Sequence, residues 1–187
     1  MGSPPPNMTL TAFLDWENAQ IEKHEFVSGE VFALVGGRRV HGLVLGNAFA
    51  SLKQQLRGTP CRAFADSMKL QIGQDIFYPD VFVTCDPGDL RTEQIFSAPK
   101  LIVEVLSPST EGYDRGLKFS LYRALPSLAE YLLVHPDTRE ASLFRRGADG
   151  LFTLHDFSNA ARIELASIGC ALDRDELFED VEAEPQA

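Results

Sequence analysis

The sequence of 187 residues lacks several features that mark common classes of protein. No apolar run approaches the roughly 20 residues needed to cross a bilayer, and no charged start followed by an apolar stretch resembles a secretory signal. There are only three cysteines, Cys61, Cys85 and Cys170, and no Cys-x-x-Cys pair. Because they are odd in number and widely spaced, we expect buried free thiols rather than a disulfide framework or a zinc ribbon. These absences favour a cytoplasmic protein.

Basic residues are also scarce, with 17 Lys and Arg against 27 Asp and Glu and a formal charge of −10. Seven acids and one base lie in residues 173–187, which leaves 20 acids and 16 bases, or −4, in the rest of the chain. This balance argues against a strong general attraction to DNA, so any contact with nucleic acid has to rely on local patches. The sequence contains no helix-turn-helix, zinc module or His-Glu-x-x-His motif.

The composition is that of one folded domain with short flanking segments. Residues 1–8 contain Gly-Ser-Pro-Pro-Pro, which predicts a disordered or polyproline-like leader. Residues 9–181 form a single domain, for which an apolar content of 44% is sufficient to build a core. Residues 182–187 form an acidic tail.

The periodicity of apolar residues predicts a mixed β-sheet flanked by helices, in the α/β (α+β) class. Three helices are expected, and in the third Leu117, Leu121 and Leu125 should face the core while Lys118 lies on another face. The unit from the strand at 101–106 through that helix to the strand at 131–134 should form a right-handed parallel crossover. The predicted helices are 9–22, 40–56 and 113–125, and the main predicted strands are 61–65, 68–72, 76–85, 101–106, 129–134, 141–145, 151–155 and 162–165.

Two carboxylates stand out on strands that are expected to be buried. Glu104 interrupts an apolar run from Leu101 to Leu106, and Asp80 follows a proline and precedes Val-Phe-Val. Buried carboxylates are rare unless they are paired or bind a metal. If the two strands pair, both groups can reach one Mg²⁺ or Mn²⁺ ion, which prefers oxygen ligands. Alternatively, Asp80 is a turn residue, and Glu104 pairs with an arginine.

Three stretches together carry a resemblance to a known family. They read Tyr-Pro-Asp-Val-Phe-Val at 78–83, Leu-Ile-Val-Glu-Val-Leu-Ser-Pro-Ser-Thr at 101–110, and Tyr-Asp-Arg-Gly-Leu-Lys-Phe at 113–119. They resemble a bacterial family of restriction endonuclease-like proteins within the PD-(D/E)xK nuclease superfamily. The resemblance covers about residues 9–181 and implies a restriction endonuclease-like fold.

The resemblance also implies roles for individual residues. Asp80 and Glu104 look like the metal ligands, and Glu25 resembles an additional acid near the metal. The lysine expected two residues after the glutamate is replaced here by Leu106, and the family suggests that Lys118 takes its place. The implied activity is Mg²⁺- or Mn²⁺-dependent hydrolysis of DNA, with a homodimer expected by analogy for cutting both strands.

Two other functions stay open. The replacement at Leu106 and the acidic charge are compatible with a nuclease fold that binds or assembles without cutting, and RNA is an alternative substrate. Lys118 could also be an exposed helix residue paired with Asp114. Other polar residues are interpreted as structural: Asp114 as a helix N-terminal acid, His41 as a helix-terminal residue, Asp66 as a turn, and Arg38, Arg39, Lys53 and Arg57 as a solvated helix face.

Overall fold

The structure, a computed structural model, describes residues 8–34 and 36–182. The expected leader at 1–8 and acidic tail at 182–187 therefore lie outside the described residues, apart from Met8 and Glu182. Within the described ranges, no helix is both long enough and apolar enough to span a membrane.

The strands follow one another closely along the chain. They are β1 (His24–Val27), β2 (Glu30–Ala33), β3 (Arg62–Ala65), β4 (Lys69–Ile72), β5 (Asp75–Phe77), β6 (Val81–Thr84), β7 (Ile95–Phe96), β8 (Pro99–Val105), β9 (Glu130–Val134), β10 (Ala141–Arg146), β11 (Phe152–Asp156), β12 (Arg162–Leu165) and β13 (Cys170–Asp173).

The helices are fewer, and one of them contains an irregular turn. They are α1 (Leu10–Glu17), α2 (Arg39–Gln55), α3 (Glu111–Tyr113), α4 (Phe119–Tyr122) and α5 (Arg174–Leu177), with a 3-10 turn at Asp89–Arg91. A π-helical turn, Asp114–Lys118, joins α3 to α4 and is called the π turn below.

The strands form a mixed, mostly antiparallel set of sheets, which confirms the predicted fold class. The largest has six strands in the order β11-β10-β9-β8-β6-β3, and a second has five in the order β2-β1-β5-β4-β7. Strands β8 and β9 pair in parallel, as the crossover prediction requires. Strands β12 and β13 form a separate hairpin, of which β13 was not predicted.

Helix α2 covers one face of the six-stranded sheet, and α4 with the five-stranded sheet covers the other. Val44, Ala48 and Leu52 of α2 pack against Val103 and neighbouring residues of the sheet. On the opposite face, Tyr122 of α4 packs in a second core. Alternate residues of a strand point to opposite faces of the sheet, and both faces are covered here. The central strand β8 is therefore largely apolar on both sides. This placement buries Glu104 between two layers.

The predicted strand 76–85 is in fact two strands in different sheets. β5 ends at Phe77 and belongs to the five-stranded sheet, whereas β6 begins at Val81 in the six-stranded sheet. The break contains Pro79, which has no N–H to donate to a sheet. The chain thus changes sheets immediately before Asp80.

The predicted inward face of the third helix was wrong for Leu117 and Lys118, whereas Leu125 is buried as predicted and Leu121 packs against the core. Leu117 is 45% exposed, whereas Asp114, Lys118 and Tyr122 are buried. The π turn widens the helix by one residue per turn, so an extrapolated period of 3.6 misplaces the faces that follow. Its effect is to direct an acid and a base into the protein.

The expected free thiols were wrong for two of the three cysteines. Cys61 and Cys85 form a disulfide, and Cys170 is a buried free cysteine. β3 and β6 pair antiparallel with Arg62 opposite Thr84, so the residues just beyond this pair lie opposite each other. The pairing depends on strand register, which spacing in the sequence did not reveal.

Candidate active site

Asp80 and Glu104 meet because β6 and β8 pair antiparallel, with Val81 opposite Val103. Extending this register by one residue puts Asp80 opposite Glu104. The Asp80 amide donates to Glu104 Oε2 over 3.3 Å, and the Val105 amide donates to Asp80 Oδ2 over 2.7 Å. The sheet register thus brings the two expected carboxylates together at the end of two neighbouring strands.

Glu104 is held by donors from the helix that covers the sheet. Its Oε1 accepts a hydrogen bond from Tyr122 over 2.9 Å and another from Lys118 Nζ over 3.2 Å. The residue is only 3% exposed, so these bonds compensate for water lost on burial. Tyr122 was not expected at the site from the sequence.

Lys118 lies at the centre of a group of acids. Its Nζ is 3.2 Å from both Glu104 Oε1 and Glu25 Oε1, and 3.4 Å from Asp114 Oδ1. The residue is 6% exposed. Together with Asp80, these acids form what we call the carboxylate cluster: Glu25, Asp80, Glu104 and Asp114.

Glu25 reaches the carboxylate cluster from the other sheet. It lies on β1, is 1% exposed, and accepts hydrogen bonds from the Tyr78 amide over 3.2 Å and from the Tyr113 hydroxyl over 3.1 Å. The structure therefore puts all four residues expected at the site in contact with one another, directly or through Lys118.

Asp114 is a buried member of this cluster. It is 2% exposed, and Oδ1 forms no hydrogen bond within the described residues although Lys118 Nζ is 3.4 Å away. The Tyr131 hydroxyl donates to the Asp114 carbonyl over 3.1 Å, which fixes the backbone of the π turn. Asp114 therefore lies in the first turn of its helical segment, as expected, and also belongs to the carboxylate cluster.

His41 also belongs to the site, contrary to its expected structural role. It lies in the first turn of α2, and its Nε2 is 3.2 Å from Asp80 Oδ2. The Asp80 hydrogen bond raises the pKa of His41 above its usual value, although burial opposes the rise. α2 therefore contributes an imidazole that contacts Asp80.

Negative charge exceeds positive charge in the cluster, and this disturbs its proton equilibria. Burial raises the pKa of Glu104 well above its ordinary value; the nearby acids add to the rise and Lys118 opposes it. Burial likewise raises the pKa of Asp114. The carboxylates raise the pKa of Lys118 despite its burial, so the ammonium stays charged. The excess of acids over bases in the cluster favours the binding of an additional cation.

Other residues considered from the sequence lie apart from this site. Asp66 has a positive φ of 57° and pairs with Lys23, which agrees with the predicted turn. Arg38 pairs with Asp137, and Arg39 Nη2 is 3.8 Å from Glu182.

The tyrosines at the site were missed because apolar periodicity cannot separate a core tyrosine from one that donates to a carboxylate. Tyr122 lies four residues after Lys118, and Lys118 lies four after Asp114. That spacing, one helical turn each, predicts a shared face, but Leu117, Leu121 and Leu125 have the same spacing, so it does not show which face is buried.

A mixed sheet with an aspartate and a glutamate at adjacent strand ends, and a lysine beside the glutamate, is the arrangement expected of a restriction endonuclease-like protein. The chain belongs to the Uma2 family, described as "Putative restriction endonuclease", whose profile matches residues 10–173. This confirms the family resemblance seen in the sequence.

Two proteins of one organism are similar to the chain over most of its length. The chain is 38% identical to "Uncharacterized protein slr1290" of Synechocystis sp. over 178 residues, covering 94% of each protein. It is 33% identical over 131 residues to "Uncharacterized protein sll1609" of the same organism, covering 68% of this chain and 74% of that protein.

A solved structure resembles the fold. The crystal structure of "a putative nuclease belonging to DUF820" from Anabaena variabilis superposes with a TM-score of 0.76 at 18% identity. The match covers 91% of this chain and 97% of that one. At this identity the likeness establishes a common fold.

Proposed function

We propose that this chain is an endonuclease that hydrolyses phosphodiester bonds in DNA with the help of Mg²⁺ or Mn²⁺. The observation that carries the proposal is the carboxylate cluster, in which three acids surround one lysine and a fourth, Asp80, adjoins Glu104. Such an excess of buried negative charge is costly unless a cation compensates for it. The family and the structural neighbour, both described as nucleases, support phosphodiester hydrolysis as the chemistry.

The residues present fit a divalent metal ion with oxygen ligands. Asp80 and Glu104 would hold it, and the unsatisfied Asp114 Oδ1 shows that the cluster has acceptor capacity to spare. No group of three or more His, Cys, Asp or Glu side chains in the described ranges is arranged to hold a metal by itself. Mg²⁺ suits such a site because it is commonly bound by one or two carboxylates while water and substrate phosphate complete its shell. The ion would supply Lewis acidity toward the phosphate.

The neighbouring side chains have separate roles in this proposal. Lys118 stabilises negative charge that develops on the phosphate, since its ammonium is already fixed beside Glu104. His41 and the Val105 amide orient Asp80 through contacts of 3.2 and 2.7 Å to Oδ2. Glu25 holds Lys118 in place from the other sheet.

Plasmid cleavage tests the proposal directly. Purified protein should nick supercoiled DNA with Mg²⁺ or Mn²⁺ and should not do so in EDTA. Asp80→Asn and Glu104→Gln, which preserve shape and remove charge, should each reduce the rate at least about 100-fold, as expected for loss of a group that stabilises the transition state.

Glu130→Gln is the matched control, because Glu130 is an equally buried glutamate on the neighbouring strand. It is 0% exposed, and its partners are Arg145 and Ser167, outside the carboxylate cluster. The control should cut at the wild-type rate. Cutting that survives both Asp80→Asn and Glu104→Gln would refute the assignment of the site. Cutting of RNA but not of DNA would show that RNA is the substrate. Light scattering would separately test the expected homodimer.

A nuclease fold that binds without cutting is the second candidate. It is favoured by the burial of Lys118, which is 6% exposed, and by Leu106 in the slot where the superfamily has lysine. Absence of cleavage together with absence of Mn²⁺ binding in calorimetry would support this candidate over the first.

A further inference from the structure

A basic cavity lies at the C-terminal end of α2, away from the carboxylate cluster. It has a volume of about 320 Å³ and contains three cations and no acid. We call Lys53, Arg57 and Arg62 the basic cluster. The full set of lining residues is Lys53, Leu56, Arg57, Gly58, Arg62 and Ala63.

Within the part of the chain that the structure describes, these cations have no acidic partners. Across residues 8–34 and 36–182, no carboxylate lies within 4.0 Å of the charged groups of Lys53, Arg57 or Arg62. Arg62 Nη1 donates to the carbonyls of Thr59 and Cys61 over 2.7 Å, which fixes its guanidinium at the cavity. All three residues are exposed. The basic cluster is therefore open to an anionic ligand.

Neither the helix nor the acidic C-terminal segment accounts for the cluster. The negative end of the α2 dipole favours a cation in the last turn, which explains Lys53 but not Arg62 on β3. The C-terminal segment runs to the other end of α2, where Glu182 lies 3.8 Å from Arg39. Up to Glu182, the chain's own acids leave the basic cluster uncovered.

We propose that the basic cluster binds the phosphate backbone of duplex DNA while the carboxylate cluster acts on a second position of the same duplex. This inference rests on the proposed function. His41 touches Asp80, and Lys53 lies 12 residues further along α2, about 18 Å at 1.5 Å per residue. With one phosphate per 3.4 Å on each strand, that is about five base pairs. The cluster thus supplies the local attraction that a chain of charge −10 otherwise lacks.

Binding at different salt concentrations isolates these contacts. Fluorescence anisotropy with a labelled 30-base-pair duplex is measured in EDTA from 50 to 200 mM NaCl, in an Asp80→Asn background that cannot cut. One triple variant replaces Lys53, Arg57 and Arg62 with Gln. The slope of the logarithm of the association constant against the logarithm of the NaCl concentration should become shallower by about 0.9 per lost phosphate contact, or about 2.7 for all three.

A second triple variant matches the change in net charge. It replaces the exposed residues Arg91, Arg123 and Arg162 with Gln and should keep the parental slope. Thermal melting establishes that both triples are folded. Equal slopes and affinities for the two triples would overturn the proposal, as would cluster-dependent binding of a polyglutamate peptide without binding of the duplex.

The outcomes also separate this inference from the proposed activity. If duplex binding depends on the basic cluster but the protein does not cut DNA with Mn²⁺, the proposed endonuclease activity is refuted. The proposed DNA contact at the basic cluster then stands. If the wild-type protein cuts DNA with a metal ion, and the triple variant of the basic cluster binds and cuts DNA equally well, the proposed endonuclease activity stands. The proposed DNA contact at the basic cluster is then refuted.

Discussion

Lys118 illustrates at the scale of one residue how this site is held together. Its ammonium is the one cation directly among three buried carboxylates in the described part of the chain, at 3.2 to 3.4 Å. A buried ion pair contributes little net stability by itself, yet removing one member leaves a charge that is neither hydrated nor paired. The lysine therefore matters for folding as well as for the proposed chemistry.

Replacing Lys118 with Met should destabilise the protein by about 3–5 kcal/mol, because three acids lose their counter-charge. Urea denaturation measures the loss. Lys53→Met removes an exposed lysine and should change the unfolding free energy by no more than about 0.5 kcal/mol. Adding Glu104→Gln to Lys118→Met should restore part of the stability. A double variant as unstable as the sum of the two single variants would argue that the groups do not interact.

The raised pKa of Glu104 predicts a specific dependence of stability on pH in metal-free protein. Between its ordinary value of 4.5 and its raised folded value, the folded state binds more protons than the unfolded state. This group therefore stabilises the fold fully below pH 4.5, and that contribution is lost as the pH rises through the folded pKa. Glu104→Gln should make the unfolding free energy decrease less steeply above pH 4.5, as measured by urea titrations in EDTA. An unchanged slope would contradict the direction of the pKa shift.

At the scale of elements, the π turn decides which side chains enter the site. It directs Asp114 and Lys118 inward and leaves Leu117 exposed. A regular helical period predicts the reverse for Leu117 and Lys118. Whether a helix adopts a π turn depends on the burial of the polar groups it presents, which only the tertiary structure determines.

Two leucines of this segment test its orientation. Leu117→Ala should change the unfolding free energy by no more than about 0.5 kcal/mol because the side chain is 45% exposed. Leu125→Ala, which truncates a side chain only 7% exposed, should cost about 2–5 kcal/mol. Equal losses in urea denaturation would favour the regular helix predicted from the sequence.

The strands were easier to predict than the contacts of individual side chains. The apolar run around Glu104 predicted a buried strand, and the structure has β8 at Pro99–Val105. By contrast, the contact between His41 and Asp80 joins an α-helix to a residue 39 positions later, just before β6, and no local pattern encodes it. Pro79 was a readable signal for the break between β5 and β6, because proline interrupts sheet hydrogen bonding.

The disulfide joins β3 to β6, the strand that begins after Asp80, across a separation of 24 residues. Protein purified without reductant and denatured should contain one titratable thiol, that of Cys170, and reduced protein should contain three. Reduction should cost about 3 kcal/mol because the unfolded chain regains the freedom of the closed loop. Cys170→Ser should leave no free thiol under oxidising conditions. Finding three thiols in unreduced protein would show that the pair stays reduced.

At the scale of the whole molecule, α2 connects two regions of opposite charge. Its first turn carries His41 beside the carboxylate cluster, and its last turn carries Lys53 of the basic cluster. A long apolar stripe of α2 packs on the central sheet, so the distance between the two regions is fixed by a rigid element. Although the net charge is −10, the two ends of α2 therefore lie beside clusters of opposite charge.

Divalent cations should stabilise this molecule as a whole, because an ion that binds only the folded site adds RT ln(1 + [L]/Kd) to the unfolding free energy. At ten times Kd this amounts to about 1.4 kcal/mol, which calorimetry can detect as a rise in Tm. The rise should vanish in an Asp80→Asn/Glu104→Gln double variant and persist in Glu130→Gln. NaCl at equal ionic strength controls for screening of the acidic surface. If the double variant responds like the wild type, the ion is binding to acids elsewhere, and the carboxylate cluster is balanced by Lys118 alone.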